Sequence, residues 1–480
     1  MKKLQILIAL LLLASGSCTD EILNKIDTNP NQVNDAPLKT MLPQVQMSYV
    51  TEVAGGSTAL NAYYLSEANT FVLGNNVLKD LQGLGSQVWN QSYSAMNDLA
   101  IIKKKALESN SFTYAGIADV LRAFNMAALT DLFGDVPFKE ALRDDIGNPV
   151  FDPSQEIYTE IHKTLDEAIL NLEKDSGPVA PKTDDMFFAG DRAMWIKTAY
   201  GLKARLYNRL SNIDAAGSAN NALGAIAKSF NSDSENLIFS KFADTQTNGN
   251  PFAVANNSQP GSSVGNGVYN AMASFGESQK ADDDPRAAIW FTKVKGQIIS
   301  APNGTARADF GEPRLDGAYY SKPELMKYFN SPMPVLTFVE LKFIEAEAQL
   351  RLGDKTKANT AYELAVDLAL RHAGDYRPAV KLSDEKISAY KSLPKVLPGS
   401  SMLALSDIIK QKYIYFYQFQ PIEAYNDVRR TGIIPVTDPT GRASRLPYPV
   451  SEITRNTSTP ADIDNISALE PRTKVFWAIK

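Results

Sequence analysis

Apolar residues recur along much of the chain at intervals of three and four, the spacing of one face of an α-helix. Ile117, Leu121, Phe124, Ala128 and Leu132 share such a face, as do Ile157, Ile161, Leu165, Ala168 and Leu172. Trp195, Ala199, Leu202, Leu206 and Leu210 form a third stripe, with Lys197, Lys203 and Arg209 on other faces. Leu405, Ile409, Tyr413 and Phe416 open a further helix. The second stripe is preceded by Asp152-Pro153 and Gln155. An acid there can accept from free helix N–H groups, proline is tolerated at the first helical position, and glutamine suits the reciprocal capping position.

Phe338–Leu370 reads as a helix hairpin that turns at Gly353-Asp354. Ala348, Ala358 and Ala365 put small side chains where two helices must approach closely, a pattern that resembles a tetratricopeptide unit. Strands do not alternate with helices, so no parallel sheet is expected. The period fades over about 231–334, and Asp244–Val268 is rich in Asn, Gly, Ser and Gln. The expectation is an all-α fold in one domain over 18–480. Its helical scaffold occupies about 36–230 and 335–480, and a loop-rich variable lobe occupies about 231–334.

Composition narrows the classes. Hydrophobic residues make up 44% of the 480, enough for a large core, and the net charge of −5 excludes the basic face of a nucleic-acid binder. The single cysteine excludes a disulfide framework and any cysteine-rich metal site. That cysteine, Cys18, follows Lys2-Lys3, the apolar run Leu4–Ala14 and the small residues Ser15-Gly16-Ser17. The run is too short to span a bilayer, which takes about 20 residues. It is a signal peptide over 1–17 ending at a lipoprotein cysteine, whose thiol would carry the lipid anchor. Asp20-Glu21 just beyond resembles an acidic signal for export to the outer leaflet of the outer membrane.

Catalytic chemistry has no foothold in the pattern. The chain has no HExxH pair, phosphate-cradling loop or dinucleotide fingerprint. His162 and His372 lie on expected helix surfaces without partner motifs. Asp282-Asp283-Asp284 lacks the spacing of a calcium loop and reads as a solvated turn before Pro285. No cofactor, metal or catalytic residue is expected.

A series of motifs, in order, carries a family resemblance. DTNPNQ (27–32) and Leu42-Pro43-Gln44 come first, then DLFGDVPF (131–138), FDPSQEIYTEIHKTLDEAI (151–169) and DRAMWIKTAYGLKARLYNRL (191–210). Asp284-Pro285-Arg286, YNDVRRTG (425–432) and RLPYPVSE (445–452), with Asn456 close behind, complete it. The chain resembles the SusD/RagB-type outer-membrane nutrient-binding lipoproteins, in their SusD-like branch. The resemblance implies tetratricopeptide-like helix pairs packed against a variable lobe. It also implies a non-enzymatic role: capturing glycans, or oligopeptides in some branches, as the lid of a SusC-like, TonB-dependent β-barrel transporter. Arg429 and Arg430 of YNDVRRTG are expected to anchor loops through carboxylates and carbonyls.

A sugar ring presents a flat C–H face, so a binding site needs exposed aromatics with amides beside them. Trp89, Trp290 and Tyr320, with Asn75 and Asn76 as polar neighbours, are the expected ligand contacts; the competing reading places these aromatics in the core. Two other functions stay open on the residues alone. One is a lipid-anchored glycoside hydrolase with a close pair of carboxylates, the other a tetratricopeptide scaffold for envelope proteins.

Overall fold

The computed structural model describes residues 36–71, 81–143, 145–174, 177–258, 262–302, 320–377, 380–435, 444–460 and 474–478. The fold is all-α. In the first half, α1 (Leu38–Ser48) runs into a π-helical turn at Tyr49–Val53 and is followed by α2 (Ser57–Leu65). The strand β1 (Asn69–Phe71) leads to the long pair α3 (Leu81–Glu108) and α4 (Phe112–Phe133). The ladder of β2 (Val136–Pro137) with β3 (Phe151–Asp152) leads into α5 (Ser154–Glu173), α6 (Arg192–Arg209) and α7 (Ala215–Ile226).

The expected helices form, and the apolar stripes face inward. Ile117, Leu121, Phe124 and Leu132 are buried on α4; Ile157, Ile161, Leu165, Ala168 and Leu172 are buried on α5. One cap departs from the sequence expectation. Asp152 does not cap α5, because its Oδ2 accepts from the backbone N–H groups of Phe138 and Lys139, at 2.9 Å each. The cap comes from Asp135, whose Oδ1 accepts from Ser154 N–H at 2.7 Å; pairing of Val136 with Asp152 brings it there. Lys203 and Arg209 of α6, although they lie off the apolar stripe, are buried too, because both find carboxylates, Asp166 for Lys203, and Asp131 with Glu423 for Arg209.

The variable stretch has more structure than its composition suggests. It holds β4 (Leu237–Phe239), α8 (Pro251–Ser258), β5 (Ser262–Val264), α9 (Asn266–Ala273) and the single turn α10 (Ala287–Trp290). β5 pairs antiparallel with β1, and β4 pairs antiparallel with β6 (Met333–Leu336), so both ladders stitch the lobe to the scaffold. Phe252, Val264, Trp290 and Met326 of the lobe belong to the same buried apolar cluster as the scaffold helices.

The second half carries the hairpin α11 (Phe338–Arg351) and α12 (Lys355–Arg371), as the sequence predicts. Gly353, at φ 83°, makes the left-handed turn between them, and Asp354 caps α12 through Lys357 N–H at 3.0 Å. α13 (Asp384–Lys391), α14 (Leu405–Phe416), α15 (Pro421–Thr431) and α16 (Val450–Arg455) complete the chain. No helix among the described residues is long and apolar enough to cross a membrane.

Candidate ligand-binding clefts

The expected ligand contacts are not gathered at one place. Trp89 is 3% exposed, with its ring edge-on to Phe133 and Tyr448 at centroid distances of 5.0 and 5.6 Å. Tyr93, four residues on, packs against the same indole, so this face of α3 looks into the core. Trp290 has no exposed surface; its Nε1–H donates to Ala373 O at 2.6 Å and its ring stacks on Tyr417. Both tryptophans are therefore core residues, and neither offers a ring face to a sugar. Tyr320 is half-buried at the lobe edge, next to Ser321, whose carbonyl accepts from Val264 N–H at 2.8 Å. Asn75, Asn76 and Cys18 lie outside the described residues.

The charged motifs turn out to be internal ties. Arg430 pairs with Glu347 and Asp427 and donates to Ser211 Oγ; all four residues are buried. Arg429 donates to the carbonyls of Ser444 and Asp131 at 2.8 and 2.7 Å, the loop-anchoring role expected of it. Burial alone would raise the Asp427 carboxyl, but Lys412 and Arg430 overcome it and hold the group well below the usual carboxylate range. Asp284 is not part of a solvated turn. It is fully buried and forms a double hydrogen bond to Arg286, while Tyr390 donates to it at 2.9 Å. Asp283 accepts from Ser278, and Asp282 pairs with Lys293. Among the described residues, no group of three or more His, Cys, Asp or Glu side chains is arranged to hold a metal ion.

Two clefts open where lobe meets scaffold, on either side of Pro334 and Phe419. The first holds about 540 Å³ counting its mouth and is floored by Tyr49, Arg205, Arg209, Gln420 and Glu423. Its charges are spent on one another: Arg205 donates to both carboxylate oxygens of Glu340 at 2.6 Å, and Arg209 donates to Glu423 at 2.7 Å. The second is a shallow cleft of about 420 Å³ counting the open space at its mouth, walled by Pro332, Tyr376 and Phe419, with Gln418, His372 and Asp375 as polar lining. His372 does not sit free on a helix surface. Its Nδ1 meets Asp375 Oδ2 at 2.6 Å and its Nε2 meets Asp233 Oδ2 at 3.0 Å. The hydrogen bond to Asp375 raises the imidazole pKa against the effect of burial, and Asp233 adds to the rise. His162 is half-buried and stacks on Tyr207 at 4.1 Å; burial and then Lys203 push it down to about 4.

Sequence reasoning missed the turn Gln418-Phe419-Gln420 that divides these clefts. The available signal was two amides flanking an aromatic just before Pro421, at the end of an aromatic-rich helix.

A stack of helix pairs stitched to an irregular lobe, with polar clefts at the seam and internally neutralised charge, defines a binding protein built on a tetratricopeptide-like scaffold. The family model described as starch-binding and associating with the outer membrane, SusD-like, matches residues 30–449, and the chain belongs to that family. Its fold is shared by a SusD/RagB family protein from Bacteroides thetaiotaomicron, at 24% identity and a TM-score of 0.77 over 92% of this chain and 99% of that one. A chitin-binding protein aligns at 20% identity and a TM-score of 0.75, covering 92% of this chain and all of its own. A chitin-binding SusD homologue from Flavobacterium johnsoniae aligns at 17% identity and a TM-score of 0.72, over 92% of this chain and 98% of its own. Among curated proteins none matches the chain. Proteins of this family bind carbohydrate in outer-membrane nutrient uptake without catalysing a reaction, and this chain is one of them.

Proposed function

We propose that the chain is a lipid-anchored protein of the cell exterior that captures glycans and passes them, as a lid, to a TonB-dependent β-barrel transporter. Oligopeptides are the other ligand class. The observation that carries this reading is the family match across residues 30–449, behind a signal-like segment that ends at Cys18. The printed chitin-binding and starch-binding descriptions of the relatives make neutral glycans of these two kinds the first ligands to test. Tyr320, half-buried at the lobe edge, is the proposed aromatic contact that remains once Trp89 and Trp290 are assigned to the core.

The test has three arms. Affinity electrophoresis in gels cast with soluble starch or glycol chitin is expected to retard the protein, and a reducing-end assay to detect no product. Purification from native membranes in mild detergent is expected to bring down a β-barrel transporter. Labelling with a fatty-acid analogue is expected to mark the wild type and not Cys18→Ala. Unretarded migration in every polysaccharide and with every peptide tried would sink the capture role, and solitary purification would sink the lid role.

A further inference from the structure

The turn between α14 and α15 carries two features that joining two helices does not require. Phe419 is held at φ 65°, a left-handed conformation that bulky side chains rarely adopt. Such strain persists only where the surroundings over-determine it. Here Tyr63 Oη accepts from Phe419 N–H at 3.0 Å while donating to Tyr417 O, and the Phe419 ring stacks on Phe252. The second feature is Gln418. It is only 7% exposed, it lines the second cleft, and its amide makes no hydrogen bond among the described residues. That amide opens on the cleft, so a ligand entering it would meet two donors and an acceptor that the protein leaves free.

The chemistry around Gln418 selects the ligand. Its amide offers one acceptor and two donors, and Asp375, half-exposed beside it, offers further acceptors. Pro332, Tyr376 and Phe419 supply apolar walls. Hydroxyls that both donate and accept, mounted on a ring with a C–H face, match this set. His372 lies between two carboxylates, Asp233 and Asp375, which leaves the mouth net negative whether or not the imidazole is charged and disfavours uronates and acidic peptides.

We propose that this cleft is a saccharide subsite for one neutral sugar residue, separate from the lobe edge that bears Tyr320. It rests on the carbohydrate-binding reading above and adds a location on the scaffold side of the seam. Strain at Phe419 serves to set the Gln418 amide at the cleft.

The experiment uses the full chain with photoreactive maltotetraose and chitotetraose, followed by peptide mapping of the crosslinks. Calorimetry with the unmodified sugars compares wild type, Gln418→Leu and Tyr320→Ala. Crosslinks within residues 372–376 or 415–420 are expected, with binding at least about tenfold weaker in Gln418→Leu at an unchanged melting temperature. Crosslinks confined to other segments, or full affinity in Gln418→Leu, would overturn the subsite while leaving carbohydrate binding intact. If wild type bound neither sugar nor any other neutral glycan, the carbohydrate reading would fall and the subsite with it. Should Gln418→Leu not fold, the wild-type crosslink map decides.

Discussion

Arg430 and Glu347, with no exposed side-chain surface on either, join α15 to α11 through two parallel hydrogen bonds, the Nη2–Oε2 one at 2.9 Å. Asn208 of α6 donates to the same carboxylate at 3.1 Å, and Arg351 pairs with it from within α11. One carboxylate therefore holds three helices. Burial alone would raise its pKa, but Arg430 and Arg351 bring it below the ordinary value. Glu347→Ala leaves two guanidinium groups facing an empty site. Breaking a buried pair from one side costs about 3–5 kcal/mol, so a large fall in the urea midpoint is expected. Glu347→Ala with a near-wild-type midpoint would show that the pair does not hold the helices together.

The tryptophans and Tyr320 should separate stability from binding. Trp290→Ala empties a fully buried site and removes the bond to Ala373 O, at an expected cost of about 3–5 kcal/mol. The fraction that stays folded should bind glycan normally. Tyr320→Ala should do the reverse, with an unchanged melting curve and weaker retention in affinity gels. Calorimetry and gel mobility on the two variants check the contrast.

His372 predicts a stability that declines toward alkaline pH. Its folded-state pKa lies above the unfolded value, so the folded state holds the proton more tightly. The stabilisation is fully present below the unfolded pKa, about 6.5, and is lost as pH rises through the raised folded value. A neutral imidazole can donate to only one of Asp233 and Asp375, so the tie between lobe and scaffold loosens on that side. The difference in urea midpoint between wild type and His372→Gln should be largest near pH 5.5 and shrink above neutrality. A difference that stays flat with pH would show that the imidazole charge does not matter.

His162 has the opposite sign. Its pKa is depressed to about 4, so below about pH 6.5 the unfolded chain takes up a proton that the folded chain refuses. Stability is complete above that pH and falls as pH drops toward 4, by an amount approaching roughly 3 kcal/mol. His162→Phe, which preserves stacking on Tyr207, should unfold at lower pH than wild type in an acid titration followed by circular dichroism.

The helices were legible because a stripe such as Ile157, Ile161, Leu165, Ala168 and Leu172 is a local pattern, and an amphipathic segment of that length has one way to bury it. The hairpin at Gly353 was legible for the same reason, since a left-handed turn calls for glycine. The ordered motifs reached further, to the family and its outer-membrane role, and Arg429 could be read as a loop anchor. What resisted reading depended on residues far apart in the chain. Asp135 rather than Asp152 caps α5 because a strand pair forms between them. Trp89 is core because Phe133, Phe151 and Tyr448 converge on it, and the sequence around Trp89 carries no trace of Tyr448. Asp284 is buried because Tyr390 and Gln411 close over its pair with Arg286. The sequence by itself determined the scaffold and the class of protein. Only the tertiary structure decided which aromatic and charged side chains are buried and which line the seam, because burial depends on what the rest of the chain brings alongside.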